Sequence, residues 1–128
     1  WTKTKPDKKI KHDIELGYEM AKQIAGLDIG QTVVVKHGAV VAVESLEGTD
    51  QCIMRAYELA GPGIVVVKVN KPNQDKRFDV PVIGLGTFET LACVHAGAIA
   101  FEAGETLFFD QEKALDIAKK FKIVVYGI

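Results

Sequence analysis

Apolar residues first recur at helical spacing in HDIELGYEMAKQIAGLD, where Ile14, Tyr18, Ala21, Ile24 and Ala25 share one face and Gly26 marks a stop. The period then changes from helix to strand. TVVVKHGAVVAVES predicts a hairpin turning at Lys36-His37-Gly38, with Gly38 able to take positive φ. EGTDQCIMRAYELAG predicts a helix capped by Thr49 or Asp50 and ended by Gly61. IVVVKV is almost entirely β-branched, which predicts a central strand buried on both faces. A short VPVIG precedes a helix from about Thr87 to Ala96. AIAFEAGETLFFD predicts a second hairpin, Asp110 a cap for the helix QEKALDIAKKF, and IVVYG a closing strand. Hairpin, helix and strand thus follow one another at about 32 to 69 and again at about 98 to 126, a repeat of pattern without matching residues. The predicted fold class is α/β: a single domain with a mixed β-sheet flanked by helices, including two β-hairpins.

Length and charge narrow the function classes. A chain of 128 residues, 48% apolar and 26% charged, is one globular domain with a real core. Its formal net charge of -1 supplies no global field for nucleic acid or an anionic membrane. No apolar run approaches the roughly 18 residues of a membrane span. Cys52 and Cys93 stand far apart, without CxxC or Cys/His metal spacing, and are expected to be buried reduced thiols, as in a reducing cytoplasm. His12, His37 and His95 have no ligand spacing and are not expected to be catalytic, and Ser45 has no nucleophile-elbow context. The chain opens at Trp1 on a polar, Lys-rich stretch. Residues 1–12 read as a linker or lead-in, and the domain proper as residues 13–128 of a longer protein.

Three polar clusters interrupt the apolar segments: LDIGQ, VESLEGTD and KVNKPNQDKRFDVPVIG. Ligands of open α/β sheets sit where loops leave the carboxyl ends of strands, so the strand exits at Glu44 and Lys68 are candidates for one shared site. Gly48, ahead of a helix start carrying Thr49, would let backbone approach an anion; the alternative is a plain helix cap. In the long loop, Lys68 and Lys71 can hold phosphate oxygens as point charges, and Arg77 as a fork. Asp75 and Asp79 can hold Mg²⁺ together with phosphate. A solvated loop with internal salt bridges is the alternative. Pro72 and Pro81 restrict the loop and favour a defined shape.

Taken together and in order, LDIGQTVVVKHGAVVAVESLEGTD, VKVNKPNQDKRFDVPVIG and EAGETLFFD resemble the C-terminal domain of the LpxI family, from about Asp13 to Ile128. Tyr57 departs from the small residue, often Gly, expected there. That family comprises UDP-2,3-diacylglucosamine pyrophosphatases of bacterial lipid A (lipopolysaccharide) biosynthesis. The resemblance implies Mg²⁺-dependent hydrolysis of a UDP-sugar lipid to UMP and 2,3-diacylglucosamine 1-phosphate (lipid X). It implies a further N-terminal domain as partner, with the lipid between the two domains, and a cytoplasmic location with peripheral contact to the inner membrane. The essential Asp of the RFD motif carries over to Asp79, expected as metal ligand or activator of water. Asp75, Asp50 and Glu47 are further candidate metal ligands. Lys68, Lys71, Gln74, Arg77, Gly48 and Thr49 are candidate substrate contacts. The competing readings are a nucleotide- or phosphosugar-binding module and an interdomain assembly piece.

Overall fold

The alternation of the strands decides which side each helix covers. In a computed structural model describing residues 5–71, 81–104 and 106–128, a five-stranded sheet has the order β2-β1-β3-β5-β7. These strands are β1 (Thr32–Lys36), β2 (Ala39–Val43), β3 (Val65–Lys68), β5 (Ala98–Phe101) and β7 (Val124–Gly127). Val33, Val35, Val65, Val67, Ala98, Ala100 and Val124 face one way, against Ile14, Ala21 and Ala25 of α1 (Lys8–Gly26). Val34, Val66, Ile99, Phe101 and Val125 face the other way. They pack against α2 (Thr49–Ala60), α3 (Leu85–Cys93) and α4 (Gln111–Lys120). Both faces of the central strands are therefore dry, which explains their unbroken Val/Ile/Ala runs.

Strand β3 is the centre of the sheet. It runs antiparallel to β1, with Thr32 opposite Lys68, and parallel to β5, with Lys68 opposite Phe101. The β1–β2 hairpin turns through His37 and Gly38, both at positive φ (51° and 77°), the backbone that suits a two-residue turn. Gly61 ends α2 with φ 76° and an N–H bonded to the Tyr57 carbonyl 2.8 Å away. Tyr57 itself is partly buried and packs against the cluster under α2.

Several expectations change. AIAFEAGETLFFD is not a hairpin: β5 pairs in parallel with β3 and β7, and β6 (Leu107–Phe108) pairs in parallel with β4 (Val82–Ile83) in a small second sheet. Phe108 thereby stacks on Phe88 at 5.4 Å and meets Phe101 edge-on at 5.5 Å. Burying that ring outweighs local hairpin closure, and the second half of the apparent repeat disappears with it. The third helix begins at Leu85 and ends at Cys93, which leaves Cys93 exposed while Cys52 is buried. Asp110 occupies the cap position of α4 with left-handed backbone and no side-chain capping bond. Helix α1 begins at Lys8, capped by Asp7, whose side chain accepts the Ile10 N–H at 2.8 Å. No helix among the described residues is long and apolar enough to cross a membrane.

Gly17 measures how closely α1 approaches the sheet. A Cβ placed there would lie 2.6 Å from Val67 Cγ2. Val67 is fully buried and β-branched, so it has nowhere to turn. Ala would gain about 0.5–1 kcal/mol of helix propensity but incur an overpacking cost of about 1–3 kcal/mol. Gly17→Ala is therefore expected to lower stability in urea denaturation; a higher midpoint would show that the helix–sheet contact yields easily.

Candidate anion site at the strand ends

Strand β3 ends in a lysine whose stem leaves the core and whose ammonium stays close to it. Lys68 Nζ donates to Thr49 Oγ1 at 3.1 Å and to the Val82 carbonyl at 3.0 Å. Burial pulls the Lys68 ammonium below the ordinary lysine value, with Glu44 and Asp50 pulling it back up. The EGTD stretch and the end of β3 are thus in direct contact through Thr49 and Lys68, while residues 72–80 of the predicted loop lie outside the described residues.

Thr49 and Asp50 do not cap α2. The cap position is Gly48, at φ 89°, and no side chain bonds to the first turn. The two side chains face sideways instead. The Thr49 hydroxyl donates to Glu44 Oε2 at 3.2 Å and lies 3.3 Å from Thr32 Oγ1. Asp50 Oδ1 accepts from the Thr87 hydroxyl at 3.2 Å, joining the first turns of α2 and α3. Helix α3 likewise starts at a glycine, Gly84, without a side-chain cap. Two helix N-termini without a side-chain cap among the described residues thus begin at or just after groups that bond Lys68, Thr49 and Val82, an arrangement that favours a negatively charged ligand.

Two residues outside the predicted set organise this corner. Glu44, 9% exposed, accepts the Gln31 N–H on Oε1 at 3.0 Å. Gly30 lies so close that a Cβ would stand 2.0 Å from the Glu44 carbonyl oxygen, which accounts for glycine in LDIGQ. The side-chain nitrogen of Gln31 is buried without a hydrogen-bond partner among the described residues. The available signal was a carboxylate at the end of an otherwise apolar strand, Val43-Glu44, where a buried charge demands partners.

The remaining predicted residues divide. Lys71 forms an ion pair with Asp28 at 2.7 Å and holds its carboxyl below the usual range. Glu47 is engaged by Arg55 at 2.6 Å, which lowers its pKa, so this carboxylate is already occupied. Gln74, Asp75, Arg77 and Asp79 lie outside the described residues. Among the described residues no group of three or more His, Cys, Asp or Glu is placed to hold a metal ion. His12 and His37 line a different cleft with Lys9 and Asp13, and His95 lies beside Phe121.

The fold and this corner define an α/β domain with a candidate anion site at the carboxyl end of its central strand. The family description "LpxI C-terminal domain" matches residues 1–126. A curated relative, the UDP-2,3-diacylglucosamine pyrophosphatase LpxI of Caulobacter vibrioides, is 37% identical over 124 residues, covering 91% of this chain and 44% of its own length. The chain belongs to the LpxI family and corresponds to its C-terminal domain; it spans less than half of that relative. Among solved structures, a dCMP deaminase from cyanophage S-TIM5 matches with a TM-score of 0.55 at 12% identity, covering 96% of this chain and all of that one. RibD of Acinetobacter baumannii matches at 0.53 and 18%, covering 93% of this chain and 36% of that one. These likenesses concern the fold. The H-x-E and P-C-x-x-C signature of zinc deaminases does not occur in this sequence.

The cysteines report directly on the burial of α2. Desolvation pushes the Cys52 thiol up to about 12, whereas Cys93 is exposed. Near pH 8, Ellman's reagent should therefore titrate one thiol in the native protein and both in denaturant; rapid native reaction of Cys52 would mean that α2 opens readily.

Proposed function

We propose that this chain is the catalytic C-terminal part of a Mg²⁺-dependent hydrolase that cleaves the pyrophosphate of UDP-2,3-diacylglucosamine to UMP and 2,3-diacylglucosamine 1-phosphate, a step of bacterial lipid A biosynthesis. The observation that carries the reading is the convergence of Lys68 with the uncapped starts of α2 and α3, in a chain of the LpxI family. A diphosphate brings negative charge, and this corner offers one ammonium and two helix N-termini to meet it.

In the reaction a water oxygen bonds to one phosphorus while the bridging P–O bond breaks. The bridging oxygen leaves with the other phosphoryl group. Lys68 offsets charge on the phosphoryl oxygens, assisted by Arg77 and by Lys71 where it can leave Asp28. Gln74 is a further substrate contact, as are Gly48 and Thr49 through their main-chain N–H groups. Mg²⁺ suits the available donors because it takes one or two carboxylates together with phosphate oxygens and water. Asp50 has a carboxylate oxygen beyond the one bonded to Thr87; Asp79 and Asp75 complete the proposed set, and Glu47 would have to leave Arg55. When bound, the ion would polarise the phosphoryl group and acidify water. Asp79 would hold the ion or take the proton from the attacking water. The remaining length of the relatives supplies an N-terminal domain that completes the substrate contacts, and the enzyme works in the cytoplasm against the inner membrane.

The decisive assay is UMP release by the full-length protein at saturating Mg²⁺. Asp79→Asn is expected to lower turnover about 100-fold or more with an unchanged melting curve; a folded variant with normal turnover would remove Asp79 from the reaction. Residues 1–128 alone should turn over weakly or not at all, since lost positioning removes most of a rate.

The proposed charge role of Lys68 also has a pH signature. Its charged form attracts the anion, and its pKa lies below the ordinary 10.5. Binding of inorganic pyrophosphate should therefore weaken as pH rises through that lowered pKa, and this alkaline loss should vanish in Lys68→Met. The same alkaline loss in both proteins would exclude Lys68 from the anion site.

A further inference from the structure

The direction of each hydrogen bond around Thr49 can be counted. A threonine hydroxyl has one proton and two lone pairs. Here the proton goes to Glu44 Oε2 at 3.2 Å. One lone pair receives Lys68 Nζ at 3.1 Å. Thr32 Oγ1, 3.3 Å away, must then be the donor to the other. Thr49 is saturated, and each bond fixes the sense of the others. Lys68 has three protons: one goes to Thr49, one to the Val82 carbonyl, and the third is uncommitted among the described residues. The origin of the chain is Glu44, whose other oxygen is held by the Gln31 N–H at 3.0 Å.

We infer that Glu44 is a positioning residue: its buried carboxylate orients the Thr49 hydroxyl as an acceptor for Lys68 and so aims the third Lys68 proton at the phosphate-bearing ligand. The inference deepens the proposed hydrolase reading and rests on it for the identity of that ligand. The chain itself rests on geometry.

The physical reason for a carboxylate is specific. Glu44 must accept on both oxygens, from an N–H and from an O–H. A glutamine has one acceptor oxygen and one donor nitrogen. If its oxygen faces Gln31, its NH₂ meets Thr49, whose proton must turn away. If its oxygen faces Thr49, two N–H groups oppose each other at Gln31. Glu44→Gln therefore conserves shape but removes the charge that favours the Lys68 ammonium, and it either opposes two N–H groups at Gln31 or reverses the Thr49 hydroxyl so that it donates to Thr32. The groups facing Lys68 among the described residues are Glu44, from the end of β2, and Asp50, from α2, and both favour its charged form.

The test uses the full-length protein with ¹⁵N-labelled lysine. Lys68 is assigned through Lys68→Met, and its ammonium signal is read beside UMP release. Glu44→Gln should fold, shift or broaden the Lys68 ammonium signal, and lower kcat/KM at least tenfold. Thr49→Val should do the same, since it removes the middle of the chain without touching a buried charge. Thr49→Ser should restore both readouts. The double variant Glu44→Gln, Thr49→Val should be no worse than the more impaired single variant, because both interrupt one path. An unaltered Lys68 signal in folded Glu44→Gln overturns the inference; so does an unaltered signal in Thr49→Val, which decides the matter if Glu44→Gln fails to fold. The signal is independent of turnover. If wild-type protein releases no UMP, the hydrolase reading fails while the Glu44–Thr49–Lys68 chain is still decided by the ammonium signal.

Discussion

A charged group at the end of a strand buried on both faces is the constraint around which this domain is arranged. Val65, Val66 and Val67 are wholly or almost wholly out of water, and the next residue is Lys68. An ammonium so close to the core needs acceptors, since an isolated charge in an apolar setting is costly. The fold supplies them from three directions: the Val82 carbonyl, the Thr49 hydroxyl, and beyond it the Glu44 carboxylate. Each comes from a different part of the chain. The start of α2, the start of β4 and the exit of β2 are thereby brought to one corner.

The same corner explains a local irregularity. Glycines at 48 and 84 stand where capping side chains would ordinarily satisfy the first helical turns. Glycine at both positions leaves the first-turn N–H groups without a side-chain cap among the described residues, the backbone geometry on which the proposed anion site rests. The likeness to a dCMP deaminase at 12% identity is one of fold alone, since chemistry resides in the residues a fold carries.

Much of the element structure was legible because it follows from period and turn chemistry. The apolar face of α1, the His37-Gly38 turn, the central position of β3 and the Gly61 stop all have local causes. The second hairpin was misread because β6 gains more from seating Phe108 against Phe88 and Phe101 than from pairing with its neighbour in sequence. The capping assignment failed for a related reason. Thr49 and Asp50 have the right chemistry to cap a helix, but their hydroxyl and carboxylate are claimed by Glu44 and Thr87 from elsewhere in the chain.

The sequence by itself determined the layers of this protein. Alternation within strands and the 3.6-residue period within helices are short-range properties, and they settle which side chains are buried. It also determined which stretches carry polar chemistry, since LDIGQ, EGTD and the Lys68 loop break otherwise apolar runs. Only the tertiary structure decided which of those groups meet. Lys68 finds Thr49 and the Val82 carbonyl, Glu47 is claimed by Arg55, and Glu44 becomes an anchor. Hydrogen bonds are directional and act over about 3 Å, so their partners depend on how distant segments are brought together, which no local pattern encodes.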